Sequence, residues 1–161
     1  MSIHTFKGME PNIGSHVYLS DSAHIIGRVT LGPDSSVFFN SVIRADINTI
    51  KIGAKSNVQD NCTFHVSDLY GVEVGVGCTI GHNAILHACS VGDNTTIGMG
   101  AIVMDGAEIG SDSIVAAGSL VAPGKKFESG MLILGNPAKA VRQLTKEEID
   151  SKKIVATHSV P

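Results

Sequence analysis

Ile80-Gly81-His82-Asn83-Ala84-Ile85-Leu86-His87-Ala88-Cys89-Ser90-Val91-Gly92-Asp93-Asn94-Thr95-Thr96-Ile97-Gly98-Met99-Gly100-Ala101-Ile102-Val103 is the stretch that decides the fold. Ile80, Leu86, Val91, Ile97 and Val103 recur every six residues, with one step of five between 86 and 91. Upstream the same rule picks out Leu19, Ile25, Leu31, Val37 and Ile43, then Ile52, Val58 and Phe64, then Val74. Downstream it picks out Ile109, Val115, Val121, Phe127 and Ile133. Only the steps 43 to 52 and 64 to 74 are longer. Four places after the repeat residue most units carry a small side chain, as at Ser41, Ser56, Cys62, Cys78, Ala84, Thr95, Ala101 and Ser113. Gly often follows directly, as at Gly53, Gly75, Gly81 and Gly98. A period of six is neither helical nor the strict alternation of a hairpin. It predicts a β-solenoid in which each unit is one short strand and a corner, and every third unit returns to the same face.

The 161 residues are expected to form a single domain: a lead-in over 1–16, the β-helix over 17–138, and a tail with a short helix over 139–161. Twelve Lys plus Arg against fifteen Asp plus Glu offer no electrostatic footprint for nucleic acid. No apolar run is long enough to span a bilayer, and the first residues lack the regions of a signal peptide. Cys62, Cys78 and Cys89 are odd in number and in no CxxC pairing, and two of them fall at small-residue corners. They read as buried reduced thiols, which places the chain in the cytoplasm. Thr145-Lys146-Glu147-Glu148 reads as a capping box, and Ile149, Ile154 and Val155 as an apolar stripe on the helix it opens.

Counting by threes sorts the polar residues. The units starting at Ile43, Phe64 and Leu86 share a face, so Arg44, His65 and His87 form an outward ladder with rungs about 4.8 Å apart. The units starting at Val58 and Ile80 share the preceding face, which sets Asp60 one turn from His82, with Gln59 beside them. His65 and His87 are spaced to share a metal ion, but His82 lies on a different face. A second copy of the chain could supply it: three prisms packed around a threefold axis would give three equivalent sites of three imidazoles, the other reading of these histidines being surface decoration. His4, His16, His24 and His158 read as surface decoration.

The stretches Val42-Ile43-Arg44-Ala45-Asp46, Asn57-Val58-Gln59-Asp60-Asn61-Cys62-Thr63-Phe64-His65 and Ile80-Gly81-His82-Asn83-Ala84-Ile85-Leu86-His87 resemble the γ-class carbonic anhydrase family. Leu134-Gly135-Asn136-Pro137-Ala138-Lys139 resembles the end of its coil. The resemblance implies a left-handed parallel β-helix of hexapeptide repeats with a short C-terminal α-helix, assembled as a homotrimer. It implies Zn2+, with Fe2+ or Co2+ as alternatives, held by His65 and His87 of one subunit and His82 of its neighbour. It implies hydration of carbon dioxide to bicarbonate by a metal-bound hydroxide that Gln59 orients, with Asn57 lining the pocket. Arg44, Asp46 and Asp60 then form the ion pairs of the trimer interface.

The bulge after His65 is short, Ile47 follows Asp46 where an acid is expected, and no Tyr follows Tyr70. The chain thus resembles a loop-trimmed branch, in which Asp68 is left as a weak proton shuttle and turnover in isolation is slow. Two alternatives stand beside this reading. One is acyl transfer from, or thioester hydrolysis of, an acyl-CoA, as on other hexapeptide coils. The other is a non-catalytic scaffold whose metal only ties subunits together.

Overall fold

The computed structural model describes residues 2–158. The repeat residues point inward: Ile25, Val37, Ile43, Val58, Phe64, Ile80, Leu86, Ile97, Val103, Val115, Val121 and Ile133 are all buried. Burial of this apolar column supplies the driving force, at roughly 1.5–3 kcal/mol for each fully buried side chain. The small residues four places later are buried as well, because they fill the corners of a narrow prism. There they also close hydrogen bonds to the next turn, with Ser41 Oγ donating to Gln59 O at 2.6 Å and Ser56 Oγ to Gly75 O at 2.7 Å.

The three faces are parallel ladders. The first carries Ile25, Ile43, Phe64, Leu86, Val103 and Val121, in the pairings Ile25↔Ile43, Ile43↔Phe64, Leu86↔Phe64 and Leu86↔Val103. The second carries Ile52, Val74, Val91, Ile109 and Phe127. The third carries Leu19, Val37, Val58, Ile80, Ile97, Val115 and Ile133. Strands His24–Leu31 and Val42–Ile52 run around a corner, so the first two faces join into one sheet of twelve strands. The whole is a left-handed parallel β-helix of about seven turns with one short C-terminal helix.

Six turns are expected from the repeat series. The additional turn comes from the lead-in, where Ser2–His4 and Asn12–Ile13 pair in parallel with His24–Leu31. A second feature absent from the repeat is strand Ala138–Gln143. It folds back antiparallel on Met131–Gly135 through a cis Asn136–Pro137 bond.

The corners have a rule of their own. Asp34, Asn40, Asn61, Gly77, Asn83, Asn94, Gly100, Asp112 and Gly118 all stand three places after a repeat residue, and all have φ between 51° and 70°. Short amides and Gly tolerate this left-handed conformation best. The conformation turns the amide toward the turn below, so that Asn61 N donates to Phe39 O, Asn83 N to Asp60 O and Gly100 N to His82 O. Gly53 has a different reason to be Gly: a Cβ there would come within 2.4 Å of Gly75 O on the next turn.

Helix α1, Lys146–His158, starts at the expected capping box. Glu148 N donates to Thr145 Oγ1 at 3.2 Å, and Thr145 N to Glu148 Oε1 at 2.9 Å. The bidentate pair with Arg142 and this cap hold the Glu148 carboxyl down to about 2. The helix docks on a corner of the coil, where Asn94 Nδ2 reaches Ile149 O at 3.3 Å and Lys152 is buried. The side chains of Ile154, Val155 and His158 lie outside the described residues.

Candidate functional site

His65 ends strand Thr63–His65 and His87 ends strand Ile85–His87, and the two residues are direct ladder partners. Each follows a buried repeat residue, Phe64 or Leu86, so alternation points its ring outward. His65 Nδ1 and His87 Nε2 stand 3.0 Å apart. The ring centroids are 5.1 Å apart, so the two nitrogens lie close to the line joining the rings and their in-plane directions face each other.

The other nitrogen of each ring is already engaged. His65 Nε2 is 2.9 Å from Asp46 Oδ1, and His87 Nδ1 is 2.7 Å from Asp105 Oδ1. Asp46 also takes the Arg44 guanidinium. Burial opposes ionisation of Asp46, but the His65 hydrogen bond and the Arg44 charge outweigh it and hold the carboxyl below its ordinary value. A carboxylate only accepts, so the engaged nitrogens must donate. As neutral rings, His65 is then the Nε2–H tautomer and His87 the Nδ1–H tautomer. Two bare lone pairs then face each other across 3.0 Å. Such a contact is repulsive unless a shared proton or a cation sits between the rings.

That is a direct test of fit for a metal ion. Two ligands of a tetrahedral ion at ~2.0–2.1 Å stand about 3.3 Å apart, close to the spacing observed. A histidine ligand also ordinarily gives its second nitrogen to a carboxylate, which fixes the tautomer. His82 has a carboxylate nearby as well, its Nδ1 standing 3.1 Å from Asp60 Oδ1. His82 stands on the corner that follows the third face, in line with Asp60 one turn away, and its exposed ring lies apart from the other two. Among the described residues, no three His, Cys, Asp or Glu side chains of one chain gather to hold a metal. The structure thus brings together Arg44, Asp46, His65 and His87, adds Asp105, and leaves His82 with Asp60.

Gln59 is half-buried beside Asp60. Its backbone N donates to Ile80 O at 2.9 Å, and its side chain makes no hydrogen bond among the described residues. Asn57 is fully buried, with Nδ2 donating to Thr79 Oγ1 at 3.1 Å and to Cys78 O at 3.4 Å, while its Oδ1 has no partner. Asp68 is exposed on the turn closed by Ser67 N donating to Tyr70 O, and its own carbonyl accepts from Asn48 Nδ2. Ile47, Leu69 and Tyr70 leave apolar surface exposed on the neighbouring loops.

Asp105 is the site residue that sequence reasoning missed. It stands two places after Val103, one turn beyond His87, and carrying the count by threes one unit further finds it. The three cysteines take no part. Burial pushes Cys62 and Cys78 up to about 11 and Cys89 up to about 12, so all are inert thiols. A groove of roughly 760 Å3 lies on the second face along Gly32, Gly53, Gly75, Gly92 and Gly110, and none of these histidines lines it.

Residues 88–123 match the bacterial transferase hexapeptide family (six repeats). The chain is 44% identical over 147 residues to a carbonic anhydrase of Geobacillus kaustophilus, covering 91% of this chain and 81% of that protein. It is 42% identical over 145 residues to the mitochondrial gamma carbonic anhydrase 1 of Arabidopsis thaliana, covering 86% of this chain. It spans only about half the length of that plant relative, 53%. Among solved structures, a hexapeptide transferase family protein from Anaplasma phagocytophilum superposes with a TM-score of 0.92 at 39% identity, covering 96% of this chain and 92% of that one. No helix among the described residues is long and apolar enough to cross a membrane.

Proposed function

The chain belongs to the γ-class carbonic anhydrase-like family of hexapeptide-repeat proteins, and from that premise we propose that it hydrates carbon dioxide to bicarbonate with a divalent metal at each interface of a homotrimer. The observation that carries the proposal is the facing pair of bare imidazole nitrogens, His65 Nδ1 and His87 Nε2, each locked by an aspartate on its far side. His82 of the partner subunit is the third ligand. Rotation about an axis parallel to the coil preserves height along it. His82 ends the turn that begins with His65 and precedes the strand carrying His87, so a neighbour delivers its own copy between those two levels.

When bound there, Zn2+, Fe2+ or Co2+ lowers the pKa of a coordinated water from 15.7 to about 7 and so supplies the nucleophile at neutral pH. The protein's residues do the rest. Asp46 holds the His65 ring with Nε2–H outward and Nδ1 toward the ion. Gln59, whose side-chain amide makes no hydrogen bond among the described residues, orients the attacking oxygen by a hydrogen bond. Asn57, buried on the same strand, keeps an unpartnered Oδ1 as a further acceptor. Arg44 keeps Asp46 ionised and, with Asp60, fixes the register of the subunits. Asp68, exposed three residues beyond His65, takes up the released proton and passes it to solvent buffer. With one carboxylate in that role the expected turnover is slow. The three buried, protonated thiols fit a reducing compartment such as the cytoplasm.

Acyl transfer or thioester hydrolysis on an acyl-CoA is the second reading, favoured by the transferase name of the Anaplasma relative. Replacing His82 tests the shared metal site. His82→Ala should lose metal from every site, as should His65→Ala and His87→Ala, while His24→Ala keeps full stoichiometry. A His82 variant that retains one metal per chain and full hydration activity refutes the shared site.

A further inference from the structure

We propose that Asp105 is a positioning residue for the metal centre, holding His87 in the Nδ1–H tautomer so that Nε2 is the nitrogen offered to the ion. The inference rests on the metal reading above and extends it to a residue outside the histidine, glutamine and arginine pattern.

Asp105 Oδ1 makes the shortest of the three histidine–aspartate contacts, 2.7 Å against 2.9 Å for Asp46 and 3.1 Å for Asp60. Its backbone is fixed from both sides. Gly106 N donates to Ala88 O at 2.7 Å on the His87 turn, and Gly124 N donates to Asp105 O at 2.9 Å on the next. The positive φ of Gly106, 74°, turns the corner directly after Asp105, and the carboxylate lies against the His87 ring one turn away. Asp105 is thus held by the same rungs that set the height of His87.

The tautomer matters because a neutral imidazole offers only one bare nitrogen. Without Asp105, His87 is free to protonate at Nε2 and hydrogen-bond His65 Nδ1. That satisfies the pair internally and removes a ligand from the site. The aspartate makes this ground state unavailable. It also raises the basicity of the nitrogen that remains, as carboxylates behind metal-ligating histidines do. His4 and His24 show the alternative arrangement. Their nitrogens lie 3.2 Å apart with an interplanar angle of 19°, as in a ring-to-ring hydrogen bond.

The experiment uses the full chain, 15N-labelled and stripped of metal, as wild type, Asp105→Ala and Asp105→Asn. Long-range proton–nitrogen correlations report which ring nitrogen of His87 carries the proton, with His24 as an internal reference. Wild type should show Nδ1–H, and Asp105→Ala should shift His87 toward Nε2–H without moving His24. Asp105→Asn should retain Nδ1–H, since the amide oxygen still accepts. Chelator competition with Zn2+ should then show affinity falling about 10- to 100-fold in Asp105→Ala and less in Asp105→Asn. An Asp105→Ala protein with an unchanged His87 tautomer and wild-type Zn2+ affinity overturns the proposal. A wild type that takes up no metal at any ratio overturns the metal reading instead, and the tautomer comparison alone then decides the role of Asp105.

Discussion

Truncating Gln59 should separate catalysis from stability more cleanly than any other change at this site. Its side chain makes no hydrogen bond within the described residues and is only half-buried. Gln59→Ala therefore orphans no buried group, and its stability cost should stay within about 0.5 kcal/mol, as at surface sites away from special features. Its backbone bond to Ile80 O, which sets the strand, survives the substitution. In catalysis, the lost hydrogen bond to the attacking oxygen should cost about 1–3 kcal/mol, or about five- to a hundredfold in rate. Asn57→Ala is the opposite control. It removes buried donors to Thr79 Oγ1 and Cys78 O, so about 1–3 kcal/mol of stability should go with it. The assay is stopped-flow carbon dioxide hydration with a pH indicator, beside metal analysis, light scattering and thermal unfolding. The expected Gln59→Ala protein is a metal-loaded trimer of wild-type melting temperature with a depressed rate that added imidazole buffer does not restore. Hydration unchanged by the substitution removes Gln59 from the mechanism, and a fall in melting temperature matching that of Asn57→Ala refutes the separation argued here.

Phe64 is fully buried between Ile43 and Leu86 on the face that carries the histidine ladder, so Phe64→Ala should cost about 3–5 kcal/mol in denaturant unfolding. Because Phe64 immediately precedes His65, the same variant should weaken Zn2+ binding, whereas Val121→Ala, buried on the same face nearer the C-terminal end of the coil, should not. Cys62, Cys78 and Cys89 have thiols raised to about 11, 11 and 12, so all three stay protonated at pH 8. A thiol reagent at that pH should label none of them in the native protein and three per chain in denaturant. Rapid native labelling of any one shows that its corner opens locally.

The inward half of this fold is legible because burial selects by polarity: a missing apolar residue in the series would leave a hole or an unpaired polar group in a prism one side chain wide. The ladder of Arg44, His65 and His87 is legible for a related reason, since a fixed register converts sequence offsets into heights. The same logic reaches Asp105 only after the five-residue step from Leu86 to Val91 is absorbed, and Asp105 then stands two places past its repeat residue where His87 stands one. The run of Asn, Asp and Gly three places after the repeat residue was equally readable, as a left-handed corner. The strand Ala138–Gln143 was not. Ala-Lys-Ala-Val-Arg-Gln has little pattern of its own and is specified by the edge that Met131–Gly135 offers it. The turn built by the lead-in is hidden likewise, because the Phe6–Met9 bridge interrupts the spacing before the second face is reached.

The groove on the second face bears on the choice between hydration and acyl transfer. A general base needs a nitrogen that is free to take the substrate's proton and within hydrogen-bond reach of it. Here none of His65, His82 and His87 lines the groove. The groove itself is floored by backbone at the glycine column, and its charged lining is Lys51 against Glu73, Asp93 and Glu108, which leaves it net negative. Nothing there unites a base with a concentrated positive charge for phosphates. The histidines lie on the first face and the corner before it. A catalytic site divided between subunits looks like that in a single subunit: ligands presented, tautomers fixed, and the cavity completed only by the neighbour. Acyl transfer would require the groove and the histidines to meet, and within one chain the coil's register holds them on different faces.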